Sequence, residues 1–184
     1  MVVIPINQRD YHWSLLVVFN PGAIGMVSNF TGNRCINLTD SEELAVIVGF
    51  DSTCSGINKP ASRKVRNWLN SMYSSKQKKG QKDWYTIKTM PLIEPRLPWQ
   101  RDGWNCGIYV LKFMSLLHRS DVTLRMTYKD IKDEGEKISK ICKFKNPEEI
   151  NTLQFQYRNE LQQRMRACRN VNTIEFDGFF AHRY

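Results

Sequence analysis

Trp99-Gln100-Arg101-Asp102-Gly103-Trp104-Asn105-Cys106-Gly107-Ile108-Tyr109-Val110 is the stretch on which the reading of this chain turns. A cysteine stands directly ahead of a glycine, and Ile108 to Leu117 then runs apolar nearly all round. That composition predicts a helix buried in the core rather than one lying on the surface. A thiol acts as a nucleophile when ionised, and an unassisted cysteine has a pKa of about 8.5, so it needs a cation or a helix N-terminus beside it. Cys106 would stand at the positive end of the buried helix, where an anion is favoured. Gly107 has no side chain to keep the backbone away from a bound peptide. By itself Cys106 would read as an ordinary buried cysteine. Its neighbours make the difference. Gln100, six residues earlier, could bring an amide to a developing oxyanion, with the Cys106 backbone N–H as second donor. Preorganised donors of that kind are each worth about 3–4 kcal/mol in transition-state stabilisation.

Working outward toward the N-terminus, strands come first. Val2 to Ile6 is apolar and β-branched, and His12 to Phe19 continues into an unbroken apolar run that suits a strand buried on both faces. Asn20-Pro21-Gly22 breaks it, residues 23–43 read as an extra hairpin or loop, and Leu44 to Phe50 is a further strand ending at Asp51-Ser52. A helix follows, with Pro60 in its first turn and Val65, Trp68, Leu69 and Met72 as its apolar stripe. Residues 74–82 form a basic loop, and Trp84 to Met90 is expected as a short strand. Pro91, Pro95 and Pro98 then keep the chain extended up to Trp99. On the C-terminal side, Asn146-Pro147-Glu148-Glu149 is a helix start with a cap, a proline at the first position and a capping-box glutamate. Ile150, Leu153, Tyr157 and Leu161 line that helix's apolar face, and Arg158, Arg164, Arg166 and Arg169 follow toward its C-terminus. Strands first, then a central helix, then more helices: the pattern is α+β, with helices packed on a sheet.

The 184 residues suit one domain, and 41% hydrophobic with 24% charged is ordinary for a globular chain. No run of 18 apolar residues predicts a membrane span, and Met1 to Ile6 lacks the features of a signal peptide. The five cysteines, Cys35, Cys54, Cys106, Cys142 and Cys168, are widely spaced and form no CxxC pair, so neither a metal nor a disulfide framework is expected. An intracellular location, nuclear or cytoplasmic, follows from that reading. The net charge of +9 would suit nucleic acid or an acidic protein equally. Lys76, Lys78, Lys79 and Lys82 make the densest basic patch, which reads as a solvated loop or a targeting signal. No nucleic-acid-binding motif accompanies it, so nucleic acid is not the expected partner.

A base and its partner must come from few residues. His182 is three residues from the C-terminus, and His118 lies about 18 Å along the helix from Cys106 at 1.5 Å per residue. His12 opens an apolar strand, where its ring can point out from the sheet edge, and is the candidate base by elimination. Standing alone it would be an unremarkable strand-end histidine. Asp51 ends the next apolar strand; a carboxylate behind an imidazole fixes its tautomer and stabilises the imidazolium. The competing use of Asp51 is a local turn with Ser52, and Asp40, in a polar loop, is a weaker rival.

His12-Trp13-Ser14-Leu15, Phe50-Asp51-Ser52 and Gln100-x-x-Gly103-x-x-Cys106-Gly107, in that order, resemble the Ulp/SENP family of SUMO-specific cysteine proteases. The match runs from about Val2 to Leu117. The resemblance implies a papain-related α+β fold, a central mixed sheet packed by the helix that follows the catalytic cysteine, and cleavage after the Gly-Gly end of a ubiquitin-like modifier. It implies His12, Asp51 and Cys106 as catalytic residues, Gln100 at the oxyanion, and Trp13 with Gly107 along the tunnel that admits the modifier tail. SUMO or a related modifier is then the partner, no cofactor is needed, and a monomer is expected. Asn105 stands where the family often has Asp, and Asp102 where it usually has Asn. The 39 positions from His12 to Asp51 match the loop-expanded branch. Family members usually carry helices ahead of the first strand, so a single catalytic domain over 1–184 that lacks the N-terminal helical part is expected. A truncated relative that only binds a modifier is the alternative function.

Overall fold

The run Leu15 to Phe19 has no polar residue to turn toward water, and the structure buries it completely: all five side chains are at most 1% exposed. A computed structural model describes residues 1–8, 11–23, 43–53, 55–74, 84–119, 125–143 and 148–169. The buried run belongs to strand β2 (His12–Phe19), the second of four strands in one sheet of order β1-β2-β3-β4. β1 (Val2–Gln8) is an edge strand antiparallel to β2, with Gln8 opposite His12. β3 (Val46–Phe50), buried throughout, pairs antiparallel on the other side, with Leu15 opposite Phe50. β4 (Leu92–Ile93) adds in parallel to β3, which makes the sheet mixed.

Helix α1 (Asn58–Ser74) inserts Val65 and Leu69 into a core shared with Leu16, Val18, Ile47 and Met90. The stripe read from the sequence is split, because Trp68 and Met72 remain 51% and 58% exposed. The inward face is completed instead by Ser62 and Arg66, whose hydrogen bonds satisfy their polar ends: Arg66 donates to the Met90 carbonyl at 2.8 Å and to Ser62 at 3.3 Å. Gly49 on β3 makes room for the buried Asn58 at the helix start, since a Cβ there would lie 2.6 Å from its amide nitrogen.

The strand expected over Trp84 to Met90 does not form. Thr86 and Thr89 bond each other's backbone N–H through their hydroxyls, and Thr89 also donates to the Trp84 carbonyl. Met90 N–H then closes a turn onto the Thr86 carbonyl at 2.9 Å. Hydroxyl side chains here offer the backbone an alternative to a ladder, which β propensity does not register. The extended segment starts two residues later, at Leu92.

Helix α2 (Cys106–Arg119) lies against β2. Phe113 packs on Phe50 with ring centroids 5.5 Å apart and on Tyr109 at 6.1 Å. The helix is buried along one face only: Leu111 and Met114 are 43% and 37% exposed, so its apolar composition overstates its burial. Two short helices follow, α3 (Tyr128–Lys132) and α4 (Glu136–Ile141). Thr127 and Asp130 form a reciprocal capping box on α3.

Residues Met1–Phe144 form one compact unit and Lys145–Tyr184 a second. The second unit contains α5 (Glu148–Arg169), of whose expected apolar face Ile150 is buried, Leu153 and Tyr157 are half-buried and Leu161 is exposed. Its expected cap, Asn146-Pro147, lies outside the described residues, as do residues 24–42 of the expected 23–43 loop, with Asp40, the lysines of the basic loop, and His182. Among the described residues no helix is long and apolar enough to cross a membrane.

Candidate active site

Antiparallel register brings the first pair together. Leu15 lies opposite Phe50, so the next residue, Asp51, comes alongside Ser14, and His12 is the following residue on the same face. The His12 ring reaches Asp51, Nε2 to Oδ1 at 2.8 Å, with both side chains almost wholly buried. With the Nε2 proton donated to the carboxylate, Nδ1 is the basic nitrogen of the neutral ring.

Asp51 is also the centre of a local turn, so both of its sequence-level uses are realised at once. Thr53 N–H and its hydroxyl donate to Oδ1 at 2.9 and 3.0 Å, and Ser55 N–H and its hydroxyl donate to Oδ2, each at 2.7 Å. Burial opposes ionisation of this carboxyl. The Thr53 N–H, the Ser55 hydroxyl, His12 and the Thr53 hydroxyl outweigh it and hold the pKa below the ordinary Asp value. The Thr53 hydroxyl also lies 3.2 Å from His12 Nε2. Thr53 and Ser55 were not singled out in the sequence, although a cluster of hydroxyl residues directly after a strand-end aspartate is a turn signature that could have found them.

The second half of the site is built by the loop before α2. Gln100 is buried and tied to the strand end on both its backbone and its side chain. Its N–H donates to the Ser52 carbonyl at 2.9 Å, and its Oε1 accepts from the Ser52 hydroxyl at 2.8 Å. The amide's orientation is set at its other end: the Asp102 carbonyl and carboxylate oxygens only accept, so the NH₂ must face them and the oxygen is left to the Ser52 hydroxyl, which can donate or accept. The amide nitrogen accordingly faces Asp102, donating to its carbonyl at 2.7 Å and to Oδ1 at 3.0 Å.

Asp102 is the hub of this loop. Besides Gln100, its Oδ1 accepts from the N–H groups of Trp104 and Asn105 at 3.0 and 2.8 Å, and its Oδ2 accepts from the Asn105 side-chain amide at 3.0 Å. Burial again works against the charge. The N–H groups of Asn105 and Trp104, then the side chains of Asn105 and Gln100, prevail and lower its pKa. The Asn105 carbonyl accepts the first helical bond, from Tyr109 N–H at 3.1 Å, so Asn105 is the cap residue and Cys106 begins the helix.

Cys106 is 5% exposed at that helix start. The residue after it faces the residue after His12: a Cβ built on Gly107 would lie 4.0 Å from Trp13 Cδ1. Two hydrogen-bonded sets thus meet at consecutive residues of the strand end, His12–Asp51 and Ser52–Gln100–Asp102–Asn105, and the second runs to the residue before Cys106. Exposed aromatics rim it, with Trp13 at 42%, Trp99 at 69% and Trp104 at 74%. His118 sits in the last turn of α2, away from the cysteine. The other buried thiol among the described residues, Cys142, is pushed up to about 12 by burial and is unsuited to nucleophilic work.

Residues 1–166 match the Ulp1 protease family, C-terminal catalytic domain. Among solved structures the chain is similar to one described as SUMO protease Ulp1 with the catalytic cysteine oxidized to a sulfenic acid, at 23% identity and a TM-score of 0.37. That match covers 74% of this chain and 49% of the other, so the chain spans about half of that relative's length. Among curated proteins, none matches.

Proposed function

The chain belongs to the Ulp1 protease family, and on that premise we propose that it is an isopeptidase cleaving after the C-terminal Gly-Gly of SUMO or a related ubiquitin-like modifier. The observation that carries the reading is the buried His12–Asp51 pair at 2.8 Å, on the strand whose next residue, Trp13, reaches the glycine after Cys106.

In the first step His12 accepts the Cys106 proton at Nδ1, while Asp51 holds Nε2–H and stabilises the imidazolium. The thiolate adds to the terminal glycine carbonyl, and the tetrahedral oxyanion is met by N–H donors at the start of α2. Gln100 is the side-chain donor assigned to that oxyanion, which would compete with Asp102 for its amide hydrogens. Collapse forms a thioester and expels the lysine amine, which takes the proton from His12. Water, deprotonated by His12, then adds to the thioester, releasing the modifier carboxylate and restoring the thiol. Gly107 keeps the approach to Cys106 low, and Trp13 covers it, which suits a tail of two glycines and excludes bulkier ones. The expected setting is the nucleus or cytoplasm, where thiols stay reduced.

The test is labelling by SUMO bearing a C-terminal vinyl sulfone or propargylamide, with NEDD8 and ubiquitin probes alongside. Wild type, Cys106→Ala and His12→Ala are compared after circular dichroism shows each folded. A SUMO adduct lost in Cys106→Ala supports the reading. A folded wild type that binds SUMO but forms no adduct refutes catalysis in favour of a binding role.

A further inference from the structure

The anion at Asp102 belongs to neither member of the His12–Asp51 pair, yet it bonds to the groups on both sides of the nucleophile's loop. Its Oδ1 gathers three donors: the Gln100 amide, the Trp104 N–H and the Asn105 N–H. Its Oδ2 takes the Asn105 side chain. Asn105 is 2% exposed and immediately precedes Cys106; its own Oδ1 is buried with no hydrogen-bond partner among the described residues. The Asn105 side chain is therefore positioned by its nitrogen end alone, through Asp102. The charge is also felt one turn into α2, where burial first, and then Asp102, raise the Tyr109 pKa against an opposing effect from Arg101.

We propose that Asp102 is a positioning residue that sets Gln100 and the start of α2 in register with each other, so that the oxyanion donors and the Cys106 thiol are held by one carboxylate. This rests on Cys106 being the nucleophile. The reason for a carboxylate is the count of donors. Four of them converge on the two Asp102 side-chain oxygens, and a carboxylate accepts at both without presenting a competing hydrogen. A carboxamide at 102 would still serve the three donors at its oxygen. It would turn its own NH₂ onto the Asn105 NH₂, and the pair would have to reorient. Exchanging the two residues restores a matched pair: Asn at 102 keeps the oxygen for the three donors and donates to a carboxylate at 105.

The test compares Asp102→Ala, Asn105→Asp and the exchange Asp102→Asn/Asn105→Asp with wild type. Three readouts are taken: kcat and KM on SUMO-aminomethylcoumarin, hydrogen exchange of the Trp104 and Asn105 amides, and the rate of Cys106 alkylation by iodoacetamide across pH, followed by peptide mass spectrometry. Misplacing a reacting group by about 1 Å costs on the order of 10²-fold, so Asp102→Ala should lose about 10²-fold in kcat with KM nearly kept. Its two loop amides should exchange faster while β2 stays protected. Asn105→Asp sets two carboxylates against each other, which raises one of their pKa values. It should be slow at neutral pH, and the exchange variant should recover at least about tenfold over it, the size of one pKa unit of relieved repulsion. The exchange moves the anion beside Cys106, so its alkylation profile should shift to higher pH; His12, the proposed base, and Arg101 and Tyr109, which interact with the Asp102 region, are unchanged in all variants. Wild-type kcat and protected amides in Asp102→Ala, or an exchange no faster than Asn105→Asp alone, overturn the proposal. Should Asp102→Ala fail to fold, the exchange against Asn105→Asp decides by itself. A wild type inactive on every modifier would refute the protease reading instead; amide exchange and alkylation would then still report whether Asp102 holds the loop, and unchanged values in Asp102→Ala would refute that separately.

Discussion

Asp51→Asn removes a charge while leaving a side chain of the same shape, and the surrounding donors dictate how the new amide must sit. At Oδ1 an NH₂ would meet His12 Nε2–H at 2.8 Å and the Thr53 N–H at 2.9 Å, two donors against donors. At Oδ2 it would meet one backbone N–H, that of Ser55 at 2.7 Å, and a hydroxyl that can rotate to accept. The second orientation costs less, so Oδ1 remains an oxygen and the His12 tautomer survives. The loss is then electrostatic. Charges about 4 Å apart at an effective dielectric of about 20 interact by about 4 kcal/mol, an upper bound of roughly a thousandfold in rate. A neutral amide oxygen retains part of this, so kcat on SUMO-aminomethylcoumarin should fall about 10²-fold at neutral pH with little change in KM. The orphaned Ser55 N–H, next to solvent, should lower stability by about 1 kcal/mol, read by urea denaturation. A folded Asp51→Asn enzyme with more than about a tenth of wild-type kcat would refute the argument that the carboxylate's charge, not its shape, serves His12.

Other expectations follow from particular contacts. Gly107→Ala places its methyl 4.0 Å from Trp13 Cδ1, an ordinary contact, so the melting temperature should hold or rise. The narrowed approach should still reduce kcat/KM on SUMO by about tenfold or more, as one methyl in a fitted pocket can. Asp51 and Asp102 both have pKa values lowered on folding, so the stability they contribute is full above about pH 4 and is lost as pH falls through their folded values. Asp51→Asn should therefore flatten the acid limb of a stability–pH curve, and an unchanged limb would count against the depressed pKa. Cys142, its thiol pushed up to about 12, should resist iodoacetamide in the native chain at about pH 8 and react once urea unfolds it. Because the unfolded thiol ionises first, its contribution to stability is full below about pH 8.5 and declines as pH rises toward 12.

Much of the molecule was legible from neighbouring residues. The continuous apolar runs of β2 and β3, the cysteine ahead of an apolar helix and the order of His12, Asp51, Gln100 and Cys106 are all local or ordinal features, which a linear chain displays openly. The errors are equally local in origin. Trp84 to Met90 looks like a strand by residue type, but two threonine hydroxyls close it into a turn. Trp68 and Met72 continue an apolar stripe, but the sheet offers α1 a surface only along Val65 and Leu69.

Pairing across the chain was not legible in the same way. That Asp51 reaches His12 depends on Leu15 lying opposite Phe50, and a slip of one residue would turn the carboxylate to the other face. That the Gln100 side chain is anchored at the end of β3 depends on the Ser52 hydroxyl, 48 residues away, meeting its oxygen. Periodicity and composition describe which groups wish to be buried or paired. Hydrogen-bond direction and strand register, which select their partners, are properties of the folded arrangement, because they are settled by distances between residues the sequence keeps far apart.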